Sequence, residues 1–245
     1  SDRTIKLLER NGANPVAKSN VPEWAGGHTF NPVHGLTRNP WDISKSAGGS
    51  SGGSASALAS GQVFLATGND LGGSLRTPAG FNGVVGLRPS PGLIPRGDRY
   101  MPFDTLWVEG PMARTVEDLA LMLDSMVGHD IGDPLSFKSK TGCFIESLKK
   151  DLKPISIAVS EDLNLVPVDS KVRKVFKTAI NNLSKHGLEI NDDIPDFSGV
   201  LDAFKTLRGV LMASMLGDLV KTHKNSILED IRKNVQVGFD AKSLD

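Results

Sequence analysis

The sequence predicts an α/β protein, and three features carry that expectation. Residues 155–159 and 188–190 read as strands flanking a helix over 170–186, a unit that predicts a parallel pair with the helix laid on it. Residues 115–127 read as an amphipathic helix with its own cap. Short apolar runs at 63–67 and 84–87, set among glycine-rich stretches, read as buried strands.

Taken in order, the chain opens with a short helix over 4–10, apolar at Ile5, Leu7 and Leu8 and stopped near Gly12. Residues 14–23 are rich in turn formers, and 26–53 are dominated by Gly, Pro, Asn, Ser and Thr. A loop of that length in a compact domain is usually functional or disordered. Residues 54–60 are small and alanine-rich and read as a helix ending at Gly61. The strand over 63–67 leads into a second glycine-rich stretch, 68–76. Thr115 caps the next helix, with Asp118 three positions on, and Val116, Leu119, Ala120, Leu123 and Val127 share one face. After Gly128 the composition changes. In the helix over 170–186 the expected buried stripe is Val172, Val175, Phe176, Ala179 and Leu183, and Gly187 stops it. Residues 204–245 are helical in pattern.

Bulk properties exclude several classes. Lys plus Arg (28) balances Asp plus Glu (28), so no surplus of positive charge favours nucleic acid or anionic lipid. An apolar share of 39% and a charged share of 23% are those of an ordinary globular protein. Cys143 is alone, so no intrachain disulfide forms, which fits a reducing, cytoplasmic setting. The five histidines have no metal-ligand spacing, and neither metal nor cofactor is expected. No apolar run reaches transmembrane length, and the charged first residues hold no signal peptide.

Two segments carry the chemistry. The first is Gly48-Gly49-Ser50-Ser51-Gly52-Gly53-Ser54 and the second is Gly68-Asn69-Asp70-Leu71-Gly72-Gly73-Ser74-Leu75-Arg76. Each contains Gly-Gly-Ser. Glycines let main-chain N–H groups approach a ligand closely, and successive N–H groups form an anion-binding concavity. A serine at the end of such a turn presents its hydroxyl to the same ligand, as acyl transfer needs. A Gly/Ser tract alone reads as a linker. No Gly-Lys-Ser/Thr follows, so the phosphate-binding loop pattern fails. Two such turns around packed, apolar structure make the linker reading poor.

These segments, continued through Thr77-Pro78-Ala79 and Phe81-Asn82-Gly83-Val84-Val85-Gly86-Leu87-Arg88-Pro89-Ser90, resemble the amidase signature family. Lys18-Ser19-Asn20-Val21-Pro22-Glu23, Asn39-Pro40-Trp41-Asp42 and Gly110-Pro111-Met112-Ala113-Arg114-Thr115-Val116-Glu117-Asp118 extend the resemblance to about Val127. With the strand–helix alternation it implies an α/β/α sandwich with a mixed central β-sheet. It also implies one domain over 1–245, a signature core at 38–90 and a more variable portion at 128–245.

The resemblance implies hydrolysis of a small-molecule carboxylic amide by a Ser–Ser–Lys triad, with Ser74 as nucleophile. Ser50 aligns with the bridging serine, 24 positions earlier, which in the family sits on a cis peptide bond. The N–H groups of Leu71, Gly72, Gly73 and Ser74 align with the oxyanion hole, and Ser51, Asp70 and Arg76 with bracing positions. The family's lysine lies upstream of the bridging serine in a strand ending Lys-Asp. Lys6, Lys18 and Lys45 do not fit it, and Lys150-Asp151 falls on the wrong side. The chain therefore reads as cut before that strand, and short at its other end. A base lysine must be desolvated to lose its proton near neutrality.

Two alternatives stand beside this reading. One is the A-type component of a glutamyl-tRNA amidotransferase, releasing ammonia from glutamine with partner subunits and tRNA; residues 102–106 read less like it. The other is a non-catalytic relative. Trp24, His28, His34, Met101, Phe103 and Trp107 are candidates for a substrate pocket or for packing, and a homodimer is compatible with the sequence.

Overall fold

The computed structural model describes residues 2–97, 99–139, 142–150 and 155–242. Helix α1 (Arg3–Arg10) starts one residue earlier than expected, because the Asp2 side chain accepts from Thr4 N at 2.9 Å and caps it. The long loop that follows contains a two-residue antiparallel pair, β1 (Phe30–Asn31) with β2 (Gly35–Leu36). Helix α2 (Gly52–Ala59) starts inside the first Gly-Gly-Ser segment, two residues before the alanine-rich run expected to form it.

Strand β3 (Leu65–Asp70) extends through Gly68-Asn69-Asp70, a run that reads as loop in the sequence. The reason is its partner. Strand β5 (Val108–Ala113) pairs with it antiparallel along its whole length, Gly68 opposite Gly110 and Asn69 opposite Glu109. β5 carries no strand signal of its own, since Gly110 and Pro111 are poor strand formers. Pro111 serves as an acceptor there: Leu87 N donates to its carbonyl at 3.2 Å. Helix α3 (Arg76–Asn82) and strand β4 (Val85–Gly86) follow the second segment, and the sheet order is β3-β5-β4. Ala55, Leu58, Leu75, Ala79 and Met112 form one core cluster beneath these elements. Full burial of a leucine or methionine contributes about 1.5–3 kcal/mol, so this cluster holds the two Gly-Gly-Ser turns against each other.

Helix α4 (Val116–Met126) has the expected cap, with Asp118 N donating to Thr115 Oγ1 at 3.1 Å. Its buried face is Leu119, Ala120, Met122, Leu123 and Met126, while Val116 is exposed. Met122, Leu123 and Met126 pack with Leu8 and Ile94, which docks α1. A four-residue helix α5 (Phe144–Ser147) follows.

Strands β6 (Ser156–Ala158) and β7 (Glu189–Asn191) pair in parallel around helix α6 (Ser170–Lys185), as expected. The expected buried stripe of α6 is not buried: Val172 is 57% and Val175 70% exposed. Two strands of three residues give too small a face to cover a 16-residue helix. The tail expected to be helical in pattern forms two helices, α7 (Val200–Thr222) and α8 (Glu229–Asp240), separated by a 3-10 turn at Lys224–Ser226. They cross with backbones nearly touching, and a Cβ added at Gly238 would collide with the Gly209 carbonyl oxygen. Met212, Leu216, Ile227, Ile231 and Val235 fill the seam. Residues 243–245 of that tail, and Asp151 of the Lys150-Asp151 pair, lie outside the described residues. Among the described residues no helix is long and apolar enough to cross a membrane.

Candidate active site

The two Gly-Gly-Ser turns meet. Ser51 N donates to the Ser74 carbonyl at 3.2 Å, and Ser51 Oγ lies 3.4 Å from Asn69 N and 3.5 Å from Asn69 O, at the end of β3. The Gly49–Ser50 peptide bond is cis, as the family resemblance implies for that serine. Ser50 is 2% exposed. The turn around it is organised by Thr29, a fully buried residue that sequence reasoning passes over. Thr29 Oγ1 lies 2.9 Å from the Gly48 carbonyl and 3.1 Å from the Ser50 carbonyl, and accepts from Gly52 N at 2.9 Å.

Asp70 organises the second turn. Its fully buried carboxylate accepts from Gly73 N at 2.8 Å, Leu75 N at 3.2 Å, and Arg76 Nε and Nη2 at 3.0 Å each. Arg88 Nη1 donates to the Asp70 carbonyl and lies 3.3 Å from its Oδ1. Burial alone would raise the Asp70 carboxyl, but the Arg76 guanidinium and the N–H groups of Gly73 and Leu75 outweigh it and hold it below the ordinary carboxylate range. Ser51, Asp70 and Arg76 thus all lie at the junction of the turns. Gly73 has φ +108, a conformation that disfavours any side chain, and a Cβ there would sit 2.9 Å from Thr77 Oγ1.

Of the four N–H groups expected to face an oxyanion, that of Gly73 is spent on Asp70. Among the described residues those of Leu71, Gly72 and Ser74 have no acceptor. Leu71, Gly72 and Ser74 line a cavity of about 240 Å³ together with Trp24, His28, Gly49, Asn69, Trp107, Arg208 and Met212. His34, Met101 and Phe103 are not among its lining residues. His28 Nδ1 lies 3.1 Å from Ser46 Oγ. A partly exposed hydroxyl beside unused N–H donors can add to a carbonyl and leave the resulting negative oxygen held.

Among the described residues no lysine lines the cavity. Lys6 and Lys18 are exposed, and Lys45 pairs with Asp42 at 3.2 Å on the surface. None has the desolvation a neutral lysine requires. Across the ladder from Asn69, Glu109 is pushed up to about 7, chiefly by burial, against the pull of the Arg96 guanidinium 3.7 Å away.

Known proteins share both the sequence and the fold. The model of the Amidase family matches residues 1–242. The A component of the glutamyl-tRNA(Gln) amidotransferase of Lactiplantibacillus plantarum is 42% identical over 188 residues, which cover 76% of this chain and 38% of that protein. Among solved structures, a bacterial aryl acylamidase of the amidase signature enzymes superposes with a TM-score of 0.90 at 26% identity, covering 99% of this chain and 52% of the other. A 6-aminohexanoate cyclic dimer hydrolase complexed with substrate superposes with a TM-score of 0.86 at 26% identity, covering 100% of this chain and 54% of the other. The chain thus spans between about two fifths and about half of the length of the relatives it matches.

Proposed function

Since this chain belongs to the Amidase family, we propose that it cleaves a carboxylic amide through an acyl-enzyme formed on Ser74. The observation that supports this most is the position of Ser74 in the cavity wall, next to N–H groups of Leu71 and Gly72 that no acceptor among the described residues uses.

Ser74 Oγ attacks the amide carbon as its proton passes to Ser50, whose own proton passes to a neutral lysine. The Ser51–Ser74 hydrogen bond ties the two serine turns together for that relay. The lysine belongs to the part of the relatives' length that this chain does not span. The carbonyl oxygen becomes negative and is held by the N–H groups of Leu71, Gly72 and Ser74, while Gly73 keeps its bond to Asp70. Losing one such donor typically lowers the rate by about 10²–10³. The C–N bond then breaks, the amine leaves with the returned proton, and water attacks the acyl-serine to release the acid. Asp70, Arg76 and Ser51 act by holding the two turns, not by touching substrate.

A second reading is favoured by the 42% identity to an amidotransferase component. In it the same serine releases ammonia from glutamine, and turnover depends on partner subunits and charged tRNA. Hydrolysis of simple amides by the isolated intact protein separates the two.

A fluorophosphonate probe tests the shared chemistry. The intact protein should be labelled and Ser74→Ala should not. Undiminished labelling of Ser74→Ala would remove Ser74 from the scheme.

A further inference from the structure

Helix α7 places one charged side chain in the cavity. Phe204, Arg208 and Met212 are four residues apart and share a face of that helix. Phe204 reaches the second turn: a Cβ added at Gly72 would sit 3.1 Å from Phe204 Cζ. Arg208 and Met212 line the cavity with Ser74. The crossing with α8 falls at Gly209, next to Arg208, so the orientation of this face is set by backbone contact.

The Arg208 guanidinium has no ion-pair partner among the described residues, and its Nε is buried without an acceptor. The other site arginines differ. Arg76 and Arg88 both reach Asp70. Among the described residues no Asp or Glu lines the cavity that Arg208 enters. Desolvation pulls its pKa down with no anion nearby to oppose it. A buried charged donor left unpaired is costly, and a guanidinium fork matches a carboxylate through two parallel hydrogen bonds.

We infer that Arg208 is a specificity-determining residue which receives a carboxylate of the substrate, so that the amide cleaved at Ser74 carries an anionic group. This inference rests on the acyl-serine reading above. It assigns Arg208 to ground-state binding, away from the scissile bond, so its loss should appear in KM and not in kcat.

The test measures ammonia release by the intact protein from the monoamides of succinic, glutaric and adipic acid, each against the neutral alkyl amide of the same length. The wild type should favour at least one acid monoamide by about tenfold to a hundredfold in kcat/KM, the range expected of a charge-assisted hydrogen-bonded pair. Arg208→Gln should abolish that preference through KM, losing more on the acid monoamides than on the neutral amides, and Arg208→Lys should restore part of it. Absence of a preference in the wild type, or equal losses on both amide types in Arg208→Gln, would overturn the inference. If Arg208→Gln does not fold, protection of wild-type Ser74 from the fluorophosphonate by glutarate but not by glutaramide supports it, and equal protection overturns it. Labelling of Ser74 without any anionic preference would refute this inference alone, whereas a protein that is not labelled at Ser74 would refute the acyl-serine reading beneath it.

Discussion

Replacing Asp70 with asparagine probes the group that shapes the second turn. The carboxylate takes hydrogen bonds from Gly73 N, Leu75 N, both Arg76 nitrogens that face it and Arg88 Nη1. An asparagine keeps one oxygen. With its amide nitrogen at the Oδ2 position, the acceptor for Leu75 N and Arg76 Nε is lost and two donors face a third. Breaking a buried ion pair by removing one partner costs about 3–5 kcal/mol. The Arg76 side chain is 57% exposed and can turn to water, which favours the lower end, about 3 kcal/mol. That is a large share of a typical total stability of about 5–15 kcal/mol. Urea unfolding at two pH values is the assay. The folded Asp70 carboxyl titrates below its ordinary value of 3.8, so its contribution is present above that value and lost as pH falls through the folded one. The gap between wild type and Asp70→Asn should therefore be about 3 kcal/mol at neutral pH and close on acidification below the ordinary carboxylate range. Fluorophosphonate labelling should slow by about a hundredfold, the effect of misplacing a reacting group by roughly 1 Å. A variant as stable as wild type at neutral pH, or a gap that acid leaves unchanged, would refute the reasoning.

Two further outcomes are expected. Thr29→Val keeps the shape of the buried residue but strands Gly52 N and the Ser50 carbonyl, while the Gly48 carbonyl keeps its bond from the residue 29 N–H; it should destabilise by about 2 kcal/mol and slow labelling, and an unchanged melting temperature would count against Thr29 as the organiser of that turn. Glu109 titrates at about 7 when folded against 4.5 normally, so the folded state holds its proton more tightly and stability should fall as pH rises from about 4.5 to 7. That shift corresponds to on the order of 3 kcal/mol. Glu109→Gln should flatten this decline in a melting-temperature series, and an identical pH profile in both proteins would remove Glu109 as its cause.

Local patterns carried the elements whose signals are local. Thr115 and Asp118 mark the start of α4 because the cap and its donor are three residues apart, and the strand–helix–strand of β6, α6 and β7 shows in periodicity alone. β5 did not show, because Gly110 and Pro111 enter a strand only through pairing with β3. The amphipathic face of α6 was legible, but its burial depends on a partner that two short strands do not supply. Ser50, Ser51, Asp70, Ser74 and Arg76 were named because they sit in two compact motifs, whose turns the fold brings together. Thr29, Arg88 and Arg208 reach the same place from 21 residues before Ser50 to 134 residues after Ser74. Arg88 lay within the matched run without a role attached to it, and an isolated threonine or arginine carries no local sign of where the fold will bring it.

The account turns on which hydroxyl forms the covalent bond. Peptide mapping by tandem mass spectrometry, after reaction of the intact protein with a fluorophosphonate, reads this directly. The adduct should lie on Ser74, with Ser50 and Ser51 unmodified. An adduct on either of those two serines, or on none of the three while amide turnover persists, would contradict it.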